Sequence, residues 1–596
     1  MGMKDFQNIH AFLKDTVERK GDEDAYRWFV SDSETQSTTW NGFYSQVKDA
    51  GKSLMALGVK KDDKVNILSY SCYKWVMCDF ALTSIASCAV GIYHSNLAHD
   101  CRYIIDHSDS VLVFAEDKTQ LDKLFEIRKE IPKVMKVVLF NGDHDDDWVI
   151  SFDEFLKLGK DVSDEDFMAR ANSAAPGDTA GIVYTSGTTG VPKGAVLTHD
   201  NIVFTAQSAL ECFSTMEGDE TFLFLPLAHV FARICVYAAL ASGAPTTFAR
   251  SIDTLIDDIK VAKPHWFASV PRIYEKVYSK VLSGAESKGG LALKIFNWAC
   301  SVGEQVSDLK LKKEPIPGML NFKYGLANKL VFSKLQDALG GNVRWCASGA
   351  APLNASIAQF FHAAGILILE GIGMTENTSF TNLNRYDHYR FGWVGQTGPG
   401  VEQKIAEDGE ILYRGRNVMK EYYKMPEETA ETLIDGGWLR TGDLGEIDAD
   451  GFLRVTGRKK DLIITAGGKN IAPSAIEGVL GTSKYIANAC VIGDRRKYLT
   501  AVVNVDMENI VEYAETNGID FNDPLELIED SRIIEMVENE VADKNREFAS
   551  FETIKKIAIV PEFTIENGFL TPTLKLKKNV IVEAYNDRIE ALYPKD

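Results

Sequence analysis

The residues best suited to chemistry lie in one unbroken run, Tyr184-Thr185-Ser186-Gly187-Thr188-Thr189-Gly190-Val191-Pro192-Lys193-Gly194. Gly187 and Gly190 allow a tight loop, and four hydroxyls with the backbone N–H groups can surround phosphate oxygens. Lys193 adds a point charge at the end of the run. The spacing is not that of a Walker A loop, because Val191 and Pro192 separate Gly190 from Lys193.

Such a loop needs a strand before it, and the chain supplies strands in a regular rhythm. Short β-branched or apolar runs at 65–68, 90–93, 111–115, 137–140, 181–184, 221–225, 266–270, 343–347 and 366–369 read as buried strands. Between the first two, Tyr73, Val76, Met77, Phe80 and Ala81 fall on one helix face. Strand–helix alternation predicts an α/β fold of parallel or mixed sheets with crossover helices. Polar motifs follow several of these strands, and in open α/β sheets the ligand crevice lies outside the carboxyl ends of the strands.

Two segments break the rhythm. Residues 275–340 are helical in pattern and hold ten lysines, no arginine and six acids, about +4 in a chain of net charge −20. Two readings stand for this insertion: a solvated helical face, or a patch that rests on anionic lipid. Beyond 457, strands at 486–492, 499–505 and 557–560 enclose an acidic helical stretch at 524–540. The expected division is a large domain over 1–457, a hinge at 458–461 and a small α+β domain over 462–596.

The phosphate-binding run resembles that of the AMP-forming adenylating superfamily, which includes acyl-CoA synthetases, adenylation domains and luciferase. The likeness continues in order: Leu225-Pro226-Leu227-Ala228-His229, Ser348-Gly349-Ala350-Ala351-Pro352-Leu353, Glu370-Gly371-Ile372-Gly373-Met374-Thr375-Glu376, Thr441-Gly442-Asp443, Gly457-Arg458-Lys459-Lys460-Asp461 and Gly467-Gly468-Lys469-Asn470-Ile471. The ending Thr571-Pro572-Thr573-Leu574-Lys575-Leu576-Lys577 is similar to that of long-chain fatty acyl-CoA synthetases.

The resemblance implies a fatty acid–CoA ligase using ATP, Mg²⁺ and coenzyme A, with a mobile C-terminal domain. It assigns Thr185 and Glu376 to Mg²⁺, a hard cation suited to oxygen ligands. Thr185 to Gly190 and Lys193 would hold the phosphates. Gly349, Ala350 and the run Glu370 to Thr375 would border the adenine, Asp443 the ribose and Arg458 the phosphate or ribose side. Lys575 would bridge carboxylate and α-phosphate, with Lys577 and Lys578 as rivals, and Thr375 and Glu376 would complete the catalytic set. His229 would border the acyl site, Lys460 would be the pivot, and Gly467, Gly468 and Lys469 would face coenzyme A. Two positions depart from the family pattern. Ile372 stands where a tyrosine often stacks on adenine, and Arg233 stands where some long-chain members place a tryptophan gate.

Composition narrows the alternatives. The acidic balance argues against general nucleic-acid binding. Nine cysteines without a C-x-x-C pair suggest neither zinc site nor disulfide framework, and point to a reducing compartment. No apolar run reaches the roughly 18 residues of a membrane span, so the expected location is cytoplasmic, with membrane contact only at the surface. Three other functions share the resemblance: an acyl-AMP ligase loading a carrier protein, a ligase for medium-chain or other acids, and a non-catalytic sensor.

Overall fold

The computed structural model describes residues 2–185, 191–213, 215–565, 567–571 and 575–593. Two large sheets form the body. In the first, the order is Glu421–Tyr422, Lys193–Thr198, Thr179–Thr185, Cys88–Ile92, Lys64–Leu68, Ser110–Ala115, Lys136–Leu139, Val149–Ser151. The last six are parallel to one another, and Lys193–Thr198 returns antiparallel beside Thr179–Thr185. The second sheet has nine strands, with the parallel set Leu367–Ile372, Trp345–Ser348, Trp266–Ser269, Thr221–Leu223 and Thr246–Phe248 near its centre. Each predicted strand of the body is present within a few residues of its expected ends.

The helix Tyr73–Ser84 departs from its one-faced reading. Trp75, Cys78, Asp79, Leu82 and Thr83 are buried as well as the predicted face. A helix buried on all sides must sit inside a core, and the continuous cluster around it joins side chains of both sheets. Trp266 and Trp345, on adjacent strands, stack within that cluster at 5.1 Å between ring centres.

A third, antiparallel sheet is built from Val401–Ile405, Glu410–Gly415, Trp438–Ile447, Leu433–Ile434 and Leu453–Arg458. After Arg458 the chain enters separate clusters that begin at Ile463 and include Ile486–Ile492, Leu499–Val505 and Ile554–Val560 as a small mixed sheet. The acidic stretch here is a short 3₁₀ turn, Pro524–Glu529, followed by the helix Ser531–Lys544. Asp530 separates them because its carboxylate accepts from the Arg532 N–H and caps the second helix.

Residues 271–338 are helical: Pro271–Glu286, Gly290–Leu311, Gly318–Ala327, a π turn Asn328–Phe332 and Ser333–Ala338. Among the described residues, no helix is long and apolar enough to cross a membrane.

Candidate active site

Thr185 ends its strand directly opposite Lys193 in the antiparallel ladder, and its hydroxyl donates to the Lys193 carbonyl at 3.3 Å. This register fixes both ends of the phosphate-binding run. Ser186, Gly187, Thr188, Thr189 and Gly190 themselves lie outside the described residues. The Lys193 ammonium sits 5.0 Å from the centre of the Tyr422 ring, a cation–π distance. Tyr422 in turn donates from its hydroxyl to Glu376 Oε1 at 2.5 Å. Burial and the neighbouring Glu376 carboxylate both raise the Tyr422 pKa, so the phenol stays a donor.

Glu376 is placed by a tight turn at the end of Leu367–Ile372. A side chain at Gly373 would collide with the Ser379 carbonyl, and one at Gly371 would lie 2.8 Å from the Asn382 carbonyl. Thr375–Asn377 forms a single 3₁₀ turn in which Asn377 accepts from the Met374 N–H at 2.8 Å. The Glu376 carbonyl accepts from the Met419 N–H at 2.8 Å. Thr375 and Glu376 are both buried. Ile372 is half-buried and packs against the cluster of Phe204, Val401 and Ile411.

Glu370 points elsewhere than the adenine contact expected of it. Its buried carboxyl accepts from the Leu353 N–H at 3.3 Å and the Gly392 N–H at 3.1 Å. Desolvation pushes it up to about 7 against those two hydrogen bonds. It thus ties the loop after Trp345–Ser348 to the 392 turn. That loop carries Gly349, whose missing Cβ would face the Phe231 ring at 3.5 Å, and Ala350 in the left-handed region at φ 71°. A small side chain limits the strain of that backbone.

His229 caps the helix Val230–Ser242: its Nδ1 accepts from the Phe231 N–H at 3.1 Å. Burial, with Lys575 adding, lowers it to about 3, so the ring is neutral. Arg233, one turn on, points into the core. It is buried against Asp79, with Nε to Oδ2 at 3.0 Å, and Tyr237 donates to the same carboxylate at 2.9 Å. Its guanidinium occupies the space a side chain at Gly181 would need.

Asp443 and Arg458 face each other across the ladder of Trp438–Ile447 and Leu453–Arg458, with Nε to Oδ1 at 3.3 Å. Burial raises the Asp443 pKa, while Arg458 and Lys575 pull against it. Lys575 keeps access to solvent although protein surrounds it. That surrounding protein lowers its ammonium pKa, Arg458 lowers it further, and Asp443 and Glu376 oppose the shift. Three residues from separate motifs therefore influence the same lysine. The Lys575 backbone is held by Thr571, through Thr571 N–H to its carbonyl at 2.8 Å and its own N–H to the Thr571 hydroxyl at 3.1 Å. Lys578 is engaged elsewhere, 2.8 Å from Glu477.

Lys460 is exposed in a turn where the Asp461 and Leu462 N–H groups both donate to the Arg458 carbonyl. Its neighbour Lys459 is anchored to Asp408 at 2.6 Å. Gly467, Gly468 and Lys469 form the exposed tip of a small hairpin between Ile463–Ile464 and Asn470–Ile471. Gly468 adopts φ 73°, and Lys469 Nζ lies 5.3 Å from the Phe551 ring.

Two functional side chains carried no motif. Tyr422 is one. Glu410 is the other: it is buried, accepts from the Gly442 N–H at 2.9 Å and pairs with Arg440 at 2.8 Å, fixing the turn that presents Asp443. The Asp408-Gly409-Glu410 turn before a strand was the available signal for Glu410. For Tyr422 there was none, because its role depends on pairing with a strand more than 200 residues earlier.

No three-acid or histidine cluster that could cage a metal occurs among the described residues. Thr185 and Glu376 nonetheless suit Mg²⁺, which is commonly held by one or two protein oxygens together with substrate phosphates.

Residues 13–423 match the AMP-binding enzyme family, and 460–596 match the AMP-binding enzyme C-terminal domain. A long-chain-fatty-acid–CoA ligase of Mycobacterium bovis, FadD15, is 35% identical over 93% of this chain and 91% of its own. A Xenopus laevis long-chain-fatty-acid–CoA ligase, ACSBG2, is 30% identical over 98% of this chain and 83% of its own. Among solved structures, the adenylation domain of a Mycobacterium chelonae carboxylate reductase superposes with a TM-score of 0.76 at 20% identity, covering 99% of this chain and 92% of that one. The chain belongs to the AMP-binding enzyme family.

Proposed function

We propose that the protein is a long-chain fatty acid–CoA ligase that forms an acyl-adenylate and then a thioester. The observation that carries this reading is that the charges of Arg458, Asp443 and Glu376 act on Lys575, and that of Lys575 on His229, while Tyr422 links Glu376 to Lys193 at the anchored end of the phosphate-binding run. The preference for long chains is supported by the names of the relatives and by the C-terminal lysine motif.

In the first step a carboxylate oxygen attacks the α-phosphorus of ATP, the bond from that phosphorus to the α,β-bridging oxygen breaks, and pyrophosphate leaves with the electron pair. Negative charge gathers on the α-phosphate and the attacking oxygen, and an ammonium aimed at both is worth most where water is scarce. Lys575 supplies it. The run from Thr185 to Lys193 holds the leaving phosphates, Asp443 accepts from the ribose hydroxyls, and Arg458 supports the phosphate or ribose side. Gly349, Ala350 and Ile372 border the adenine through backbone and apolar contact, with Gly371, Gly373 and Met374 shaping the turn. Thr185 and Glu376 would hold Mg²⁺, which shields phosphate charge when bound. Neutral His229 borders the acyl group without adding a charge to it.

In the second step the coenzyme A thiolate attacks the acyl carbonyl and AMP leaves. Domain boundaries at 458–461 allow the small domain to rotate about Lys460, withdrawing Lys575 and bringing Gly467, Gly468 and Lys469 to the crevice. Nine free cysteines suit a reducing cytoplasm.

Pyrophosphate release across a series of fatty acids, with and without coenzyme A, tests the proposal. Turnover that needs coenzyme A and peaks at long chains is expected. Adenylate that coenzyme A cannot discharge would instead point to a carrier protein as acceptor.

A further inference from the structure

The helix Gly318–Ala327 has two apolar faces. One holds Leu320, Tyr324 and Ala327, packed into the body, with the Tyr324 hydroxyl donating to the Ala363 carbonyl at 2.8 Å. The other holds Met319, Phe322 and Leu326, which at 3.6 residues per turn project within an arc of about 60°, and Leu330 continues it in the following π turn. These four are exposed, Met319 and Phe322 by 70% and 74%. Exposed Lys323 and Lys329 border the stripe, and Lys312 and Lys313 stand exposed at the approach to the helix, beside Glu314.

We infer that this face docks on an anionic lipid bilayer. An unpartnered apolar stripe marks an interaction surface, and its chemistry selects the partner. Protein interfaces are enriched in arginine and depleted in lysine; this insertion has ten lysines and no arginine. Lysines flanking Phe, Leu and Met form the pattern of a helix lying in a membrane interface, where apolar burial and attraction to acidic headgroups add. The rest of the chain is strongly acidic, so charge directs this face, and not another, to the bilayer. The surface goes beyond the ligase reading but gives it a supply route, since long-chain acids partition into bilayers.

The test is co-sedimentation of the full chain with vesicles of phosphatidylcholine alone or mixed with phosphatidylglycerol. Binding to the mixed vesicles only, weakened by salt, is expected. Lys323→Glu with Lys329→Glu should lower partitioning at least tenfold, given about 1 kcal/mol per lysine at such a surface. Met319→Ser with Phe322→Ser should lower it at least as far. Both double variants should retain wild-type turnover of a soluble short acid without vesicles, so failure of the ligase reading is seen separately. Absence of binding to mixed vesicles, or binding unchanged in both variants, would overturn the inference. So would conversion of a vesicle-free oligomer to monomers by Met319→Ser with Phe322→Ser, which would make the face a contact between copies.

Discussion

The hydroxyl of Tyr422 donates to Glu376 at 2.5 Å while its ring lies under the Lys193 ammonium. One aromatic side chain thus connects the end of the phosphate-binding run to the carboxylate proposed to hold Mg²⁺. Tyr422→Phe keeps the cation–π contact and removes the hydrogen bond. A hydrogen bond to a charged group contributes about 1.5–3 kcal/mol, so ATP–pyrophosphate exchange should fall by roughly ten- to hundredfold, with a raised Mg²⁺ requirement. An unchanged Mg²⁺ dependence would separate Tyr422 from the site.

Lys575 and Lys578 are separated by what they face. Lys575→Ala should reduce acyl-adenylate formation by about 10²–10³-fold, the range for removing one preorganised transition-state donor. Lys578→Ala removes the half-buried pair with Glu477, which lies apart from the charges that act on Lys575, and should leave that rate within about twofold. The active form of Lys575 is protonated and its pKa is lowered. The rate should therefore fall as pH rises through a value below the ordinary 10.5. Lys575→Arg, permanently charged, should lose that alkaline limb whatever its residual rate.

Glu370 has a folded-state pKa raised from 4.5 to about 7. Its contribution to stability is complete below about pH 4.5 and is lost as pH rises through about 7. The loss is on the order of 3 kcal/mol. Glu370→Gln mimics the protonated carboxyl, so the variant should gain stability relative to wild type between pH 5 and pH 8. Denaturant midpoints at both ends of that range measure it; a constant difference would mean that Glu370 does not titrate there.

Arg233 is a strut between layers. Arg233→Met leaves the Asp79 carboxylate buried without its partner, which costs about 3–5 kcal/mol. Urea unfolding should show that loss, and Asp79→Leu added to Arg233→Met should recover part of it. A variant that changes chain-length selectivity at wild-type stability would overturn this and place Arg233 beside the acyl group.

The body strands were legible because buried parallel strands write themselves as short β-branched runs, and the motifs because each sits at a strand's end. Contacts between distant segments were not. The one-faced pattern of Tyr73–Ser84 concealed a helix buried all round, since Asp79 looks polar until Arg233 neutralises it. The same pairing gives Arg233 a structural part at the position where the tryptophan gate of some long-chain members does not carry over. Glu370 read as a site residue from its neighbours, yet its carboxyl is consumed by two backbone N–H groups. Tyr422 was invisible because only the strand pairing with Lys193–Thr198 brings it to Glu376.

The most direct test of adenylate chemistry is to identify the nucleotide product formed from ATP, Mg²⁺ and a long-chain acid, with coenzyme A added. AMP and pyrophosphate in equal amounts, each dependent on the acid, are the predicted result. ADP and inorganic phosphate would contradict it, because attack would then fall on the γ-phosphorus and Lys575 would stand beside the wrong phosphate.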